Sequence, residues 1–530
     1  MTLNRLRTLW LLCCVANLYG FQQEFRFASY YGDHMVLQKA PQRAVVWGYG
    51  EDAAEVTVTV VGEREKVSHT VNVDKAPTGI WRVTLDPVNP GGPFVLSAVQ
   101  QSRLATTVRN LSDVLFGDVW LCGGQSNMEM TLSQVMNATE ELSQAAKFPR
   151  VRVFSVALEK SDVKLTDLAG VELPWSVPSA EVLGAGIFTH FSAVCWLFGR
   201  DLYKSRGDPV GLVESCWGGT PVEAWSSRRA LKHCGLADAP SSRFWYPDPL
   251  GSPCLASHSN TGIRPLIWLQ VKEGHWKNTV LWNAMIHPLL NMTIRGAIWY
   301  QGEANTEYHQ DLYNCTFPAM IDDWRLAFHQ GSGGQTPADL PFGFVQISTY
   351  MKKSQSDAYP NLRWQQTADF GFAPNKRMKN TFMAVSLDLG DERSPWGSIH
   401  PRYKQDVAYR LTLGARAVAY GEKVSFQGPF PQKISVQAAN ISIIYSTNIS
   451  VTLHKSIFEV CCSRQSSSWL PAPIIKANSD SVVLSTENCT LKVSGLRYAW
   501  KDWPCDFKAC PVYSADGVLP APPFIVDSGH

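Results

Sequence analysis

The chain has 530 residues, 45% of them hydrophobic and 18% charged, with 48 basic against 46 acidic side chains and a formal net charge of +2. Such a composition is globular and long enough for two or three domains with ample core. The balanced charge, free of long runs of one sign, argues against nucleic acid as a partner.

Residues 1–20 carry Arg5 and Arg7, then the apolar stretch Leu9–Ala16, then Gly20 as a small residue near a cut site. That pattern predicts a secretory signal peptide, with an apolar run too short to span a bilayer. No later run approaches the ~20 apolar residues of a transmembrane helix, so no membrane span is expected. Asn-x-Ser/Thr acceptors at Asn110, Asn137, Asn291, Asn314, Asn440, Asn448 and Asn488 fit export and glycosylation. Removing Cys13 and Cys14 with the signal leaves 11 of the 13 cysteines. In an oxidising compartment several should pair, and the odd total leaves at least one thiol free or intermolecular. Cys505 and Cys510 are close enough to close one small loop, although connectivity is not fixed by sequence. Neither Cys-x-x-Cys nor His-Glu-x-x-His occurs, so no metal or other cofactor is expected.

From 25 to 112 the texture is short and alternating, as in Val56/Val58/Val60 and Trp81/Val83/Leu85, with turns such as Gly48-Tyr49-Gly50 between the pieces. This predicts a small β-sandwich domain. At Asp113 the texture changes. The apolar run through Val119-Trp120-Leu121-Cys122 suits a strand buried on both faces, and Gly123-Gly124-Gln125-Ser126-Asn127-Met128 follows it. A serine between strand and helix beside two glycines has a free hydroxyl and nearby backbone N–H groups, as a nucleophile requires. Most Gly-Gly-x-Ser segments are plain turns or caps, and this one is not the Gly-x-Ser-x-Gly elbow. Met128, Leu132, Val135 and Leu142 predict a helix after it.

Between 113 and 416 further strands are predicted at Val151–Val156, Val210–Ser215, Ala297–Tyr300, Phe342–Ile347 and Thr381–Leu387. Helical patterns lie between them, clearest at Ala193–Arg200 and Phe317–Phe328. The alternation predicts an α/β fold with a mostly parallel sheet flanked by helices, whose ligands sit at the carboxyl ends of the strands. Four loops fall just after predicted strand ends. The first carries Ser126, the second is Cys216-Trp217-Gly218-Gly219-Thr220-Pro221, the third is Gln301-Gly302-Glu303-Ala304-Asn305, and the fourth runs from Asp388 through Asp391 to His400-Pro401. Each alone reads as an ordinary turn or polar loop; their convergence at one sheet edge is what suggests a site. Residues 236–278 fit no period and are expected to form a long insertion. From 417 to 530 short alternating strands return, predicting a β-rich C-terminal domain stapled by some of Cys461, Cys462, Cys489, Cys505 and Cys510.

With the loops assembled, the chain resembles the sialate O-acetylesterases, a lysosomal and secreted family related to the SGNH hydrolases. The resemblance rests on Gly117–Met128, on Trp217-Gly218-Gly219-Thr220-Pro221-Val222-Glu223-Ala224-Trp225, on Trp299–Asn305, on Ser398-Ile399-His400-Pro401, and on Leu496–Trp500 with Leu519–Phe524. It implies an SGNH-like catalytic domain that removes acetyl esters from sialic acid hydroxyls, chiefly 9-O, without a metal. Ser126 carries over as nucleophile and His400 as its base, with Gly219, Gln301 and the Ser126 amide as oxyanion donors. Gln125, Glu303 and Asn305 are assigned to substrate binding. Many relatives place the triad acid three residues before the histidine, where this chain has Gly397. Asp391 is the preferred substitute; Asp388 lies close to the strand end, and a backbone carbonyl could replace both in a Ser-His dyad. Arg393 and Arg402 are candidates for the sialate carboxylate. The partners implied are O-acetylated sialic acids and sialoglycoconjugates, in a lysosome or outside the cell. An acetylesterase for other acetylated sugars, or a secreted glycan-binding protein without turnover, are the alternative readings.

Overall fold

The structure is a computed structural model that describes residues 24–62, 66–74, 78–103, 105–236, 274–437, 439–453, 457–462 and 468–527. The expected signal peptide and nearly all of the expected 236–278 insertion lie outside the described residues.

Seven strands build the central sheet: β1 (Thr106–Gly124), β2 (Val151–Val156), β3 (Val171–Ser176), β4 (Val210–Cys216), β5 (Gly296–Tyr300), β6 (Phe342–Gln346) and β7 (Thr381–Val385). Their order is β3-β2-β4-β1-β5-β6-β7, parallel throughout except for the antiparallel edge strand β3. Strands β2 and β4–β7 and the second half of β1 are fully buried apolar runs, as strands covered on both faces must be. The faces divide by alternation. Trp120, Cys122, Leu212 and Ile298 pack with residues of helices α2 (Ala193–Arg206) and α4 (Lys404–Val418), while Leu121, Val213 and Trp299 share the opposite core with Phe317, Ile321 and Trp324 of α3 (Tyr313–Gly331). Helix α2 starts where the Ser192 side chain accepts from the Cys195 amide and stops at Gly207, in the left-handed conformation at φ 78°. Disulfides Cys122–Cys195 and Cys234–Cys315 fasten β1 to α2 and the end of the short helix Arg228–His233 to α3.

Strand β1 is longer than its apolar run. Its first eight residues are partly or wholly exposed and its last eleven are buried. The exposed half pairs antiparallel with Gly91–Gln101, which pairs with Glu55–Val61 and through it with Lys66–Asn72. A separate three-stranded sheet of Arg26–Phe27, Val45–Tyr49 and Ile80–Thr84 packs its Val46, Trp47, Trp81 and Val83 into the same core as Val56, Val58 and Val60.

Residues 431–527 form a four-stranded sheet, a two-stranded one and a second four-stranded one, with disulfides Cys462–Cys489 and Cys505–Cys510. Asp502 from this region accepts from the Tyr350 and Met351 amides, and Arg363 donates back to the Lys501 and Asp502 carbonyls.

One prediction is corrected. The segment after Ser126 is not one helix but three pieces, α1 (Ser126–Glu129), a 3-10 turn Leu132–Gln134 and a helix Ala138–Gln144. The apolar spacing was right, but Met130 leaves the helical region at ψ 129° and Asn137 sits left-handed at φ 57°, so the buried residues reach the core without a continuous axis.

Candidate active site

The three central strands end level. Gly124 of β1 pairs with Cys216 of β4 on one side and Tyr300 of β5 on the other, so the three loops start abreast. Their strands flank the point where the chain's direction of travel across the sheet reverses, the position at which open parallel sheets bind ligands. Gly124 must be glycine: its φ is +144°, and a Cβ there would stand 2.1 Å from the Tyr300 carbonyl oxygen. The bonds Gln125 N–H to Tyr300 O (2.9 Å) and Trp217 N–H to Gly124 O (3.1 Å) extend the ladder into the loops.

Between Val114 and Leu132 every residue is buried except Ser126, which is half-buried. Its Oγ lies 2.8 Å from Nε2 of His400, and the other ring nitrogen, Nδ1, lies 2.8 Å from the Trp396 carbonyl oxygen. That carbonyl can only accept, so it requires the proton on Nδ1 and leaves Nε2 as the acceptor for the serine hydroxyl. Phe188 packs on the imidazole at 4.9 Å between centroids. Burial pulls the His400 pKa down to about 4; the Trp396 carbonyl opposes the fall and the Lys404 cation adds to it. The imidazole is therefore a neutral base well into the acid range.

Asp391 is not brought to His400, which corrects the preferred triad acid. Its carboxylate takes Arg402 in a fork, Nε to Oδ2 at 2.6 Å and Nη2 to Oδ1 at 3.1 Å. Burial opposes ionisation, but the Arg402 guanidinium holds the Asp391 carboxyl below its usual range. Arg402 is thereby spent as well, which removes it from the carboxylate-binding candidates; Arg393 is exposed. Asp388 is fully buried, with both oxygens held by Arg410 at 2.6 and 2.8 Å and Oδ2 also accepting from the Tyr513 hydroxyl at 3.0 Å. The orienting group of this site is a main-chain carbonyl.

Gln301, expected as an oxyanion donor, has both amide hydrogens committed, to Thr220 O at 3.2 Å and Asn305 Oδ1 at 2.8 Å, and its Oε1 accepts from Tyr313. No donor remains to aim at a substrate. Of the three expected substrate-binding residues, Asn305 is wholly spent within the protein, while Gln125 and Glu303 each commit one side-chain oxygen. Gln125 Oε1 accepts from the Gly302 and Ala304 amides. Asn305 uses all four of its positions, on Val222, Gln301, Glu223 and Tyr308. Glu303 Oε1 accepts from Asn127 at 2.6 Å, and burial pushes its carboxyl up. These bonds lock the three loops together, and Glu303 Oε2 is buried without a hydrogen-bond partner among the described residues.

Gly219 lies in the loop after β4. It turns left-handed at φ +69° with open space where a side chain would be, beside Gly218, whose added Cβ would meet the Ser126 Cβ at 3.3 Å. The Gly218 amide donates to Glu129 Oε2 at 2.8 Å. Burial, aided by Glu214, pushes Glu129 up to about 8, and burial likewise pushes Glu214 up to about 8. Both are therefore uncharged in acid.

Sequence reasoning missed the clasp between the serine and histidine loops. Asn127 donates to the Ile399 carbonyl at 2.9 Å and accepts from Lys404 Nζ at 2.7 Å, so the residue after Ser126 holds the residue before His400. The available signals were an asparagine next to the serine and a lysine four residues beyond the histidine. The Trp396 carbonyl leaves no sequence signature.

Residues 116–394 match the family described as carbohydrate esterase, sialic acid-specific acetylesterase, and residues 432–528 match the sialate O-acetylesterase C-terminal domain. The chain is 51% identical over 514 residues to a sialate O-acetylesterase of Mus musculus, covering 96% of this chain and 95% of that one. The chain belongs to the sialate O-acetylesterase family. To the sialate O-acetylesterase of Homo sapiens it is 50% identical over 507 residues, 94% of this chain and 92% of that one. Among solved structures, a carbohydrate acetylesterase from Xanthomonas citri superposes with a TM-score of 0.75 at 27% identity, covering 95% of this chain and 99% of that chain. The family match at 116–394 includes Ser126, Gly219 and the lock residues but ends before His400.

Proposed function

We propose that this chain hydrolyses O-acetyl esters of sialic acids, chiefly at O9, through an acetyl-enzyme on Ser126. The observation that carries the reading is the 2.8 Å contact of Ser126 Oγ with His400 Nε2 at the one opening in a sealed run of chain. The names of the relatives supply the substrate class.

In this reading the Ser126 oxygen attacks the acetyl carbonyl carbon while His400 Nε2 takes its proton. The tetrahedral oxyanion accepts from the amides of Gly219 and Ser126, each contributing about 3 kcal/mol in good geometry. Collapse breaks the bond to the sugar oxygen, which leaves with the proton from His400. Water then enters, gives its proton to His400 and displaces acetate, and the serine recovers its proton. The Trp396 carbonyl keeps the imidazole oriented and steadies its charged form, the work of the aspartate in a triad.

The layout we assign is an SGNH-like catalytic domain over 113–416 between an N-terminal β-sandwich domain, 25–112, and a C-terminal β-rich domain, 417–530. Four disulfides, and no helix among the described residues long and apolar enough to cross a membrane, support a lysosomal or secreted protein. Asn110, Asn137, Asn440, Asn448 and Asn488 are exposed and Asn291 and Asn314 half-buried, and we assign all seven as glycan acceptors.

The test is acetate release from 9-O-acetylated N-acetylneuraminic acid, with acetylated xylose oligomers in parallel and Ser126→Ala as control. Release from the sialic acid, lost in the variant, is expected. Release from xylose oligomers alone would transfer the site to other acetylated sugars, the class suggested by the Xanthomonas citri neighbour, and release from neither would leave a glycan-binding protein.

A further inference from the structure

The diglycine after β4 poses a problem of restraint. Gly218 and Gly219 have no side chains to fix them, and glycine loses more conformational freedom on ordering than any other residue. An oxyanion donor must nevertheless stand within about 0.5 Å of its place. The amides of this loop are committed one after another up to that point. Trp217 N–H is taken by the Gly124 carbonyl at 3.1 Å and Gly218 N–H by Glu129 Oε2 at 2.8 Å, whereas Gly219 N–H has no acceptor among the described residues. Gly219 also has open space where a Cβ would stand.

Glu129 ties this loop to the nucleophile. It is the last residue of α1 and Ser126 is the first, so both lie on one side of a single helical turn. Gly218 rests on both of them: a Cβ built on it would lie 2.9 Å from Glu129 Oε2 and 3.3 Å from Ser126 Cβ. The Glu129 side chain is buried, and the bond to Gly218 is its only side-chain hydrogen bond among the described residues. Burying a carboxyl for one amide is costly, and an apolar side chain would fill the same space at less cost. The neighbouring Glu214 is occupied elsewhere, by the Ser192 amide at 2.6 Å and the Cys216 thiol at 2.9 Å.

We propose that Glu129 is a positioning residue for the oxyanion: by taking the Gly218 amide it holds the diglycine so that the adjacent Gly219 N–H meets the oxygen that turns negative when Ser126 attacks. This deepens the esterase reading above and rests on it. One turn of helix then sets the spacing between nucleophile and donor. Burial, aided by Glu214, pushes the Glu129 carboxyl up to about 8, so in acid the acceptor is an oxygen of a neutral acid. A glutamine side chain offers the same oxygen at the same reach.

The test compares Glu129→Ala and Glu129→Gln with wild type on 9-O-acetylated N-acetylneuraminic acid. Alanine should lower kcat about a hundredfold, the cost of a misplaced catalytic group, with KM little changed, and glutamine should restore kcat to within about threefold of wild type. The second readout is the inhibition constant of methylboronic acid. Its boron takes the Ser126 oxygen while His400 takes the proton, leaving a tetrahedral anion that mimics the intermediate. That constant should rise in step with the fall in kcat/KM for alanine and not for glutamine. A merely structural glutamate would change only the fraction of active serines, counted by exhaustive labelling with diisopropyl fluorophosphate. Wild-type kcat per labelled serine and a wild-type boronate constant in Glu129→Ala would therefore overturn the proposal, as would a loss in Glu129→Gln equal to that in alanine. Should Glu129→Ala not fold, Glu129→Leu, which fills the space without an acceptor, is held to the same outcomes. A wild type that neither takes the label at Ser126 nor binds the boronic acid would instead sink the esterase reading, so the two failures are distinct.

Discussion

The two loops that meet in the site differ in what braces them. The serine loop is fixed by its own neighbours: a parallel strand on each side of β1, the glycine Gly124 lying against Tyr300, and a short helix that begins at the serine itself. The histidine loop, besides its own bonds among Asp391, Ser394, Trp396, Gly397, His400 and Arg402, is braced by the C-terminal region. Asp388 at its root is gripped by Arg410 of α4 and by Tyr513 of the C-terminal region, whose Lys508 amide also donates to the Asp388 carbonyl. Ser398 donates to the carbonyl of Tyr350, a residue whose amide is held by Asp502. The backbone setting of Ser126 can be found in a short motif, whereas the braces of Asp388 and Ser398 from a distant region cannot.

Substitutions sharpen that contrast, beginning with the reacting atoms. Ser126→Ala and His400→Ala should each lower kcat by about four orders of magnitude or more with unchanged circular dichroism, because neither side chain holds the fold together. Next, Asp388→Ala should destabilise by about 3–5 kcal/mol, by stranding the buried Arg410 guanidinium, and should lower activity with it. Chemical denaturation measures the first effect. If the histidine loop were held locally, activity in the folded variant would be untouched.

A smaller effect is expected from Asp391→Asn. Its partner is Arg402 and not the base, so kcat/KM should fall less than about tenfold, against the roughly 10⁴-fold cost of the equivalent change in a true triad. A loss of that larger size would restore Asp391 as the orienting acid.

The pH profile follows from the depressed His400 pKa. Activity should persist through pH 5 and fall only toward about pH 4, as the base takes a proton. Stability runs the same way. Between about 6.5 and 4 the unfolded histidine binds a proton that the folded one refuses, so this group's contribution is complete above about 6.5 and is lost as pH drops. Stopped assays and thermal melts across this range check both. The smallest effect should come from the glycans: treatment with peptide N-glycosidase should shift the mass without changing kcat, since none of the seven acceptors is buried.

Much of the layout was readable from the sequence because it is written in local pattern. Fully apolar runs marked β2 and β4–β7, and the glycine-rich segments after β1 and β4 marked where loops leave the sheet. The misreadings share one cause. Gln301 and Asn305 stand at the strand ends as expected, but composition tells which hydrogen bonds a side chain can make and not which it has already made. Asp391 was misread in the same way, since its claim rested on proximity in sequence while Arg402 had the better geometry. The actual orienting group, the Trp396 carbonyl, belongs to a backbone that every residue shares. The clasp from Lys404 Nζ to Asn127 Oδ1 needed three dimensions too.

Strand β1 has one further consequence. Its 19 residues run unbroken from the ladder with Gly91–Gln101 into the parallel sheet that carries Ser126. A covalent rod of this kind leaves no linker to cut. Recombination within it would sever a hydrogen-bonded ladder rather than a spacer, so the N-terminal sheets cannot be exchanged among proteins as a detachable cassette. One unbroken strand thus carries both the N-terminal ladder and the approach to Ser126.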